Sequence, residues 1–227
     1  MTVLDEQLAY YRARAAEYDE WFFRQGRYDR GPDVNQRWHS EVESVRARLD
    51  AFRPAGDVLE LACGTGNWTQ PLARHADSVL AVDAAPEMLE INRKKLDAAN
   101  VQYLQADLFN WAPSRPFDVV FFGFWLSHVP KDKFSAFWSN VRSALNPTGR
   151  VFFVDSLPNP DSQAKDHPIG KESSDRQKRL LNDGRRFEVI KRYYRPESLT
   201  EMLGDLGWDA TLEVSGSFFL FGSVMPQ

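Results

Sequence analysis

Two glycines, three acids and a histidine are the residues of this chain whose types and spacing could do chemistry. Gly64 and Gly66 stand at i and i+2 within Asp57-Val58-Leu59-Glu60-Leu61-Ala62-Cys63-Gly64-Thr65-Gly66-Asn67-Trp68-Thr69. Lacking a Cβ, they let the backbone turn tightly and lie against a ligand. The apolar run before them reads as a strand buried on both faces. A helical pattern beginning near Asn67 sets the loop at the positive end of a helix. That is the order of a nucleotide-type site, of which two kinds compete. A dinucleotide site reads Gly-x-Gly-x-x-Gly and cradles a pyrophosphate. Here Thr69 stands for the third glycine, and Glu60 would meet the pyrophosphate with like charge. An acid there suits a cationic ligand end, such as an amino-acid ammonium group.

Asp83 ends the apolar run Val79-Leu80-Ala81-Val82 about 17 residues after Gly66, where an acid can accept from both hydroxyls of a ribose. Asp107 follows a third run in Gln105-Ala106-Asp107-Leu108. A fourth, Phe117 to Gly123, leads into Phe124-Trp125-Leu126-Ser127-His128. Imidazole titrates near neutral pH, so His128 is the candidate general base. Each has a plainer alternative: Asp83 as a helix N-cap, Met88 as core, Asp107 as a turn cap, His128 as a structural or capping group.

Elements must position these groups. Strands are expected near 57–62, 79–83, 101–105, 117–123 and 149–155, with helices from about Asn67, Pro86 and Lys131. This alternation predicts an α/β fold, a doubly wound parallel sheet with ligands at the strands' C-terminal ends. Before it, apolar spacing gives one helix over 3–23, with Tyr11, Tyr18 and Trp21 about one or two turns apart, and a second from an Asp33 cap. Residues 1–52 thus read as an N-terminal helical cap and 53–155 as the ligand-binding half. Residues 156–195 form a polar lid insertion with a helix around 172–182 and a strand over Phe187–Tyr194, and 196–227 a closing helix and two strands. A connection as long as the insertion is usually functional.

At 227 residues the chain fits a single domain. A net charge of −4 argues against a phosphate-neutralising surface, and so against a nucleic-acid partner. One cysteine, Cys63, forms no intrachain disulfide, and no apolar run approaches a membrane span or a signal peptide, so a cytoplasmic protein without a membrane partner is expected. His39, His75, His128 and His167 lack metal-ligand spacing, and no metal is expected. A serine nucleophile elbow is missing.

Glu60-Leu-Ala-Cys-Gly-Thr-Gly66 resembles motif I of the class I S-adenosylmethionine-dependent methyltransferases, with Ala62 in place of the pattern's first glycine. Asp83-Ala84-Ala85-Pro86-Glu87-Met88 resembles motif II, whose methionine packs on the adenine. In that family an acid at Asp107 accepts from the adenine amino group, and the backbone of Leu108 reaches a ring nitrogen. Tyr10 to Asp19 resembles the N-terminal helix that closes over the cofactor's methionine end in many small-molecule methyltransferases. The resemblance implies a Rossmann-like seven-stranded, mostly parallel sheet with an antiparallel last strand. It implies S-adenosylmethionine as methyl donor and S-adenosylhomocysteine as product. Cofactor contacts would be Tyr11, Tyr18, Glu60, Ala62, Gly64, Thr65, Gly66, Asn67, Trp68, Asp83, Ala84, Met88, Asp107, Leu108 and Phe124.

The acceptor is then expected to be a small molecule, aromatic or heterocyclic, methylated on O or N. Trp21, Trp125, Arg179 and Tyr194 are its candidate contacts, with Arg186, Lys191 and Tyr193 also offered by the insertion unless these form a solvated face. The nucleic-acid methyltransferases' Asn/Asp-Pro-Pro-aromatic box is absent after the fourth strand, and Asp155 lacks the Asp-Asn companions of a catechol-type magnesium site. The protein would be a monomer or homodimer. A non-catalytic S-adenosylmethionine-binding domain and an NAD-dependent oxidoreductase are the rival readings.

Overall fold

The computed structural model describes residues 2–166 and 175–227. Its centre is a seven-stranded sheet in the order β3-β2-β1-β4-β5-β9-β8. β1 (Asp57–Leu61), β2 (Ser78–Asp83), β3 (Val101–Gln105), β4 (Phe117–Gly123) and β5 (Leu145–Ser156) run parallel. β8 (Trp208–Val214) and β9 (Phe219–Pro226) close it, β9 antiparallel to both neighbours. The expected sheet is borne out.

The near-continuous apolar runs follow from burial on two faces. Val58, Val119, Phe121 and Phe152 pack into one core, and Leu59, Val120, Phe122 and Phe153 into the other. Glu60, alternating with Leu59 and Leu61, is thereby carried into the interior, 1% exposed.

The N-terminal segment does not form one helix. α1 (Val3–Arg14) passes through a 3₁₀ turn at Ala15–Glu17 into the short α2 (Tyr18–Phe22). α3 (Pro32–Phe52) starts a residue early, with Gly31 at its cap and Pro32 in its first turn. α4 (Thr69–Ala73), α5 (Pro86–Lys95), α6 (Phe134–Ser143) and α7 (Pro196–Gly204) complete the helices.

The insertion departs from expectation. Where a helix was predicted around 172–182, the described part is a strand: β6 (Arg176–Leu180) pairs antiparallel with β7 (Arg186–Ile190) in a hairpin apart from the main sheet. Gly184, at φ 86, makes the turn that a bulkier residue disfavours. Residues 172–174 and His167 lie outside the described residues. The hairpin packs on α1 through Tyr10, Phe187, Leu181 and Val189. Among the described residues no helix is long and apolar enough to cross a membrane.

Candidate active site

A cavity of about 350 Å³ opens at the C-terminal ends of the parallel strands, with α1, α2 and residues of the hairpin among its walls. At its floor β1 turns through Ala62 and Gly64, both at positive φ (55° and 53°). A Cβ built on Gly64 would meet no protein atom within 4 Å, so its backbone borders open space. Gly66 serves packing instead, since a Cβ there would lie 2.4 Å from Asn92 Oδ1 of α5. Phe124, after β4, repeats the positive φ at 57°. Left-handed backbone at non-glycine residues costs energy, and two of the four such residues among those described, Ala62 and Phe124, border the cavity.

The Asp83 carboxylate accepts from the Gly64 and Ala85 N–H groups, each at 2.9 Å, and so ties the glycine loop to β2. Burial pushes its pKa up to about 6 against those same bonds. Asp107 accepts from Phe109 N–H at 3.0 Å and Asn110 Nδ2 at 2.6 Å, which is the turn-capping alternative in place. Met88 lines the same end.

At the other end stands His128. Its Nδ1–H donates to the Ile190 carbonyl at 2.6 Å, which leaves Nε2 to accept from the Tyr11 hydroxyl at 2.7 Å. Burial, then the charges of Lys191, Arg179 and Arg14, push this imidazole well below its ordinary pKa, so it is neutral. Gln7 of α1 clamps the arrangement, donating to the His128 carbonyl at 3.3 Å and accepting from Ile190 N–H at 3.0 Å.

Of the residues singled out by sequence, Tyr11, Tyr18, Trp21, Ala62, Gly64, Asp83, Ala84, Met88, Asp107, Leu108, Phe124, Trp125, His128 and Arg179 line this cavity. Glu60, Thr65, Asn67 and Trp68 line a smaller pocket of about 20 Å³ that shares its Tyr18, Ala62, Gly64, Gly123 and Phe124 walls. Burial pushes Glu60 up to about 8, and its Oε2 has no hydrogen-bond partner.

Tyr194 is a correction: it is buried in the core against Phe134, at 6.0 Å between ring centroids, outside the cavity. Lys191 and Tyr193 line the cavity instead, because alternate residues of an extended segment face opposite ways.

Sequence reasoning missed Asp19. Its carboxylate accepts from Thr65 Oγ1 at 2.6 Å and Asn67 Nδ2 at 3.1 Å and pairs with Lys95, latching α2 onto the glycine loop. It also missed Tyr28 and Arg14; for Arg14 the four-residue spacing from both Tyr10 and Tyr18 was the available signal, and for Tyr28 there was none. Among the described residues no cluster of His, Cys, Asp and Glu is placed to hold a metal ion.

A glycine loop tied to an acid at the end of β2, a second acid after β3 and a histidine after β4 paired with a tyrosine of α1 stand where doubly wound folds bind their ligands, at the C-terminal ends of the strands. A family model for a methyltransferase domain matches residues 58–149. The solved DhpI-SAH complex is 40% identical to this chain, covers 99% of it and 97% of its own length, and superimposes with a TM-score of 0.81. The DhpI-SAM-HEP complex is 41% identical, with coverages of 99% and 98% and the same TM-score of 0.81. Among curated relatives, the malonyl-[acyl-carrier protein] O-methyltransferase of Paenibacillus sp. (strain JDR-2) is 33% identical over 59% of this chain and 51% of the relative. The demethylmenaquinone methyltransferase of Staphylococcus saprophyticus is 28% identical over 58% of each. The chain thus spans 51% and 58% of the lengths of these two curated relatives. It belongs to the class I S-adenosylmethionine-dependent methyltransferases. The open space beside Gly64 and the half-buried Asp83 carboxylate fit that family's cofactor, S-adenosylmethionine.

Proposed function

We propose that this protein catalyses methyl transfer from S-adenosylmethionine to an oxygen or nitrogen of a small-molecule acceptor. The observation that carries the reading is one cavity with nucleoside acceptors, Asp83 and Asp107, at one end and the Tyr11–His128 pair at the other. Bound there, S-adenosylmethionine supplies an electrophilic sulfonium methyl group. Asp83 accepts from the ribose hydroxyls, Met88 packs on the adenine and Asp107 accepts from its amino group. Glu60 takes the ammonium group across the small pocket that it lines. The acceptor rests on Trp21, Phe124 and Trp125, which support the aromatic or heterocyclic reading. The O-methyltransferase from Paenibacillus supports oxygen as the acceptor atom.

The protein's own contribution is alignment and exclusion of water by α1, α2 and the hairpin. Where the acceptor carries a proton, the Tyr11 hydroxyl relays it to Nε2 of His128. Among three cations that imidazole is a weak base, so an acceptor already ionised is served best.

Calorimetric titration with S-adenosylhomocysteine and with NAD tests the reading. S-adenosylhomocysteine should bind at micromolar concentration, and Asp83→Ala should weaken it at least about tenfold, the loss of a charge-assisted bond. Binding of NAD in its place would sink the proposal.

A further inference from the structure

Three cations line the acceptor end of the cavity: Arg14, Arg179 and Lys191. Arg14, in the last turn of α1, is 9% exposed and lies among the rings of Tyr10, Tyr18 and Tyr28, at 5.5, 4.9 and 5.7 Å from their centroids. Its Nη2 donates to the Tyr28 hydroxyl at 3.2 Å, while its Nε has no partner. Arg179, on β6, reaches Gln163 Oε1 at 3.4 Å. Lys191 is 6% exposed and is answered by Asp155 Oδ1 at 3.4 Å and Ser127 Oγ at 2.8 Å. Among the described residues no ion pair involves Arg14 or Arg179.

The other acids lining the cavity are committed elsewhere. Asp5 caps α1, Asp83 holds the glycine loop and Asp107 holds its own turn. Aromatic faces offset part of the cost of burying a guanidinium, and a buried cation is otherwise paired. The cofactor's methionine end brings a single carboxylate, which can answer one of the two guanidinium groups. The other keeps no anionic partner among the described residues, since half-buried Arg179 reaches only the neutral Gln163, and the acceptor is the molecule that can bring a second anion.

We infer that the acceptor carries an oxyanion, a carboxylate or a phosphoryl group, seated between Arg179 and Arg14 with Lys191 beside it. This rests on the methyltransferase reading and narrows its substrate class to acids. Guanidinium groups suit such a group because their planar donors match its oxygens in pairs. An ionised acceptor also explains a site where His128, the only imidazole among the described lining residues, is held neutral between a carbonyl and a phenol.

The test is calorimetry with benzoate, phenylphosphonate and the uncharged benzamide, each titrated into the protein with and without saturating S-adenosylhomocysteine. At least one acid should bind the loaded protein and benzamide should not. Benzoate against phenylphosphonate separates the carboxylate from the phosphoryl source. Arg179→Gln, on the hairpin, should weaken the acid at least tenfold while S-adenosylhomocysteine affinity stays within about twofold, and Arg14→Gln provides the second variant. Benzamide binding as well as the acids overturns the inference, as does the failure of both acids or an Arg179→Gln protein that binds them unchanged. If Arg14→Gln and Arg179→Gln both weaken S-adenosylhomocysteine and spare the acids, the cations serve the cofactor alone and the inference falls. If S-adenosylhomocysteine never binds but an acid does, and Arg179→Gln abolishes it, the methyltransferase reading fails while the anion site stands.

Discussion

Asp83 holds the glycine loop with the same carboxylate that the proposed function assigns to the ribose, and its titration tests that assignment. Its oxygens hold the Gly64 and Ala85 N–H groups, while burial raises its pKa to about 6. Ribose hydroxyls need the ionised form as acceptor. In a Glu60→Gln protein, where that buried acid no longer titrates, S-adenosylhomocysteine affinity should therefore be flat above about pH 6 and fall below it, approaching tenfold per pH unit as protonation of Asp83 takes over. Asp83→Asn should bind weakly at every pH, and a Glu60→Gln affinity unchanged down to about pH 5 would contradict this role.

Glu60 gives a second, opposite signal. Its pKa in the fold, about 8, stands above the ordinary 4.5, so the protonated form is favoured by folding. Its contribution to stability is complete below about 4.5 and is lost as pH rises through about 8, at up to about 1.4 kcal/mol per pH unit. Chemical denaturation at pH 6 and pH 9 should show the loss, and Glu60→Gln should abolish it. An ammonium group brought by the ligand favours the carboxylate, so binding at pH 7 should release a proton. Calorimetric enthalpies in phosphate and Tris buffers should then differ, whereas equal enthalpies would remove Glu60 from the cofactor's contacts.

Among the elements, α1 and α2 wall the cavity, and polar latches reinforce the apolar packing of Tyr10, Trp21 and Phe22. Arg12 of α1 reaches both oxygens of Glu87 on α5, and Gln7 bridges His128 and Ile190. Asp19 joins α2 to Thr65, Asn67 and Lys95. Arg12 and Glu87 are half exposed, and such a pair contributes little. Asp19 is more enclosed, so Asp19→Ala should weaken S-adenosylhomocysteine roughly five- to tenfold in an equilibrium titration, and Arg12→Ala by less than about twofold.

The latches were illegible in sequence because they join residues some 46 to 183 positions apart. The strands were legible, since two-sided burial writes itself as unbroken apolar runs. The hairpin was misread because Arg, Gln, Lys and Leu in 176–180 are good helix formers. Packing on α1 overrode that preference, and Asp183-Gly184 was the local turn signal that should have arbitrated. Tyr194 was chosen over Tyr193 because sequence alone does not say which of two adjacent tyrosines faces inward.

At the scale of the molecule, the proposed function draws its two halves from the sheet and from the elements that lie over it. The groups assigned there to the cofactor sit at strand ends, which is why their motifs were readable. The acceptor end is assembled from α1, the loop after β4 and the chain leaving β7, which meet at Tyr11, His128 and Lys191. That convergence bears on whether His128 acts as a base. A base working through Tyr11 would become an imidazolium beside Lys191, Arg179 and Arg14, a state the surroundings oppose. Its bond to Tyr11 fixes α1 over the cavity regardless. Tyr11→Phe keeps the ring and removes the hydroxyl, so it separates the two roles. Once an acceptor is in hand, Tyr11→Phe should lower kcat by less than about tenfold and raise KM, without changing the pH profile. General-base catalysis is worth roughly a hundredfold or more. A fall of that size in kcat, with the pH dependence altered, would mean that the proton does pass through Tyr11 and that the acceptor enters the site uncharged.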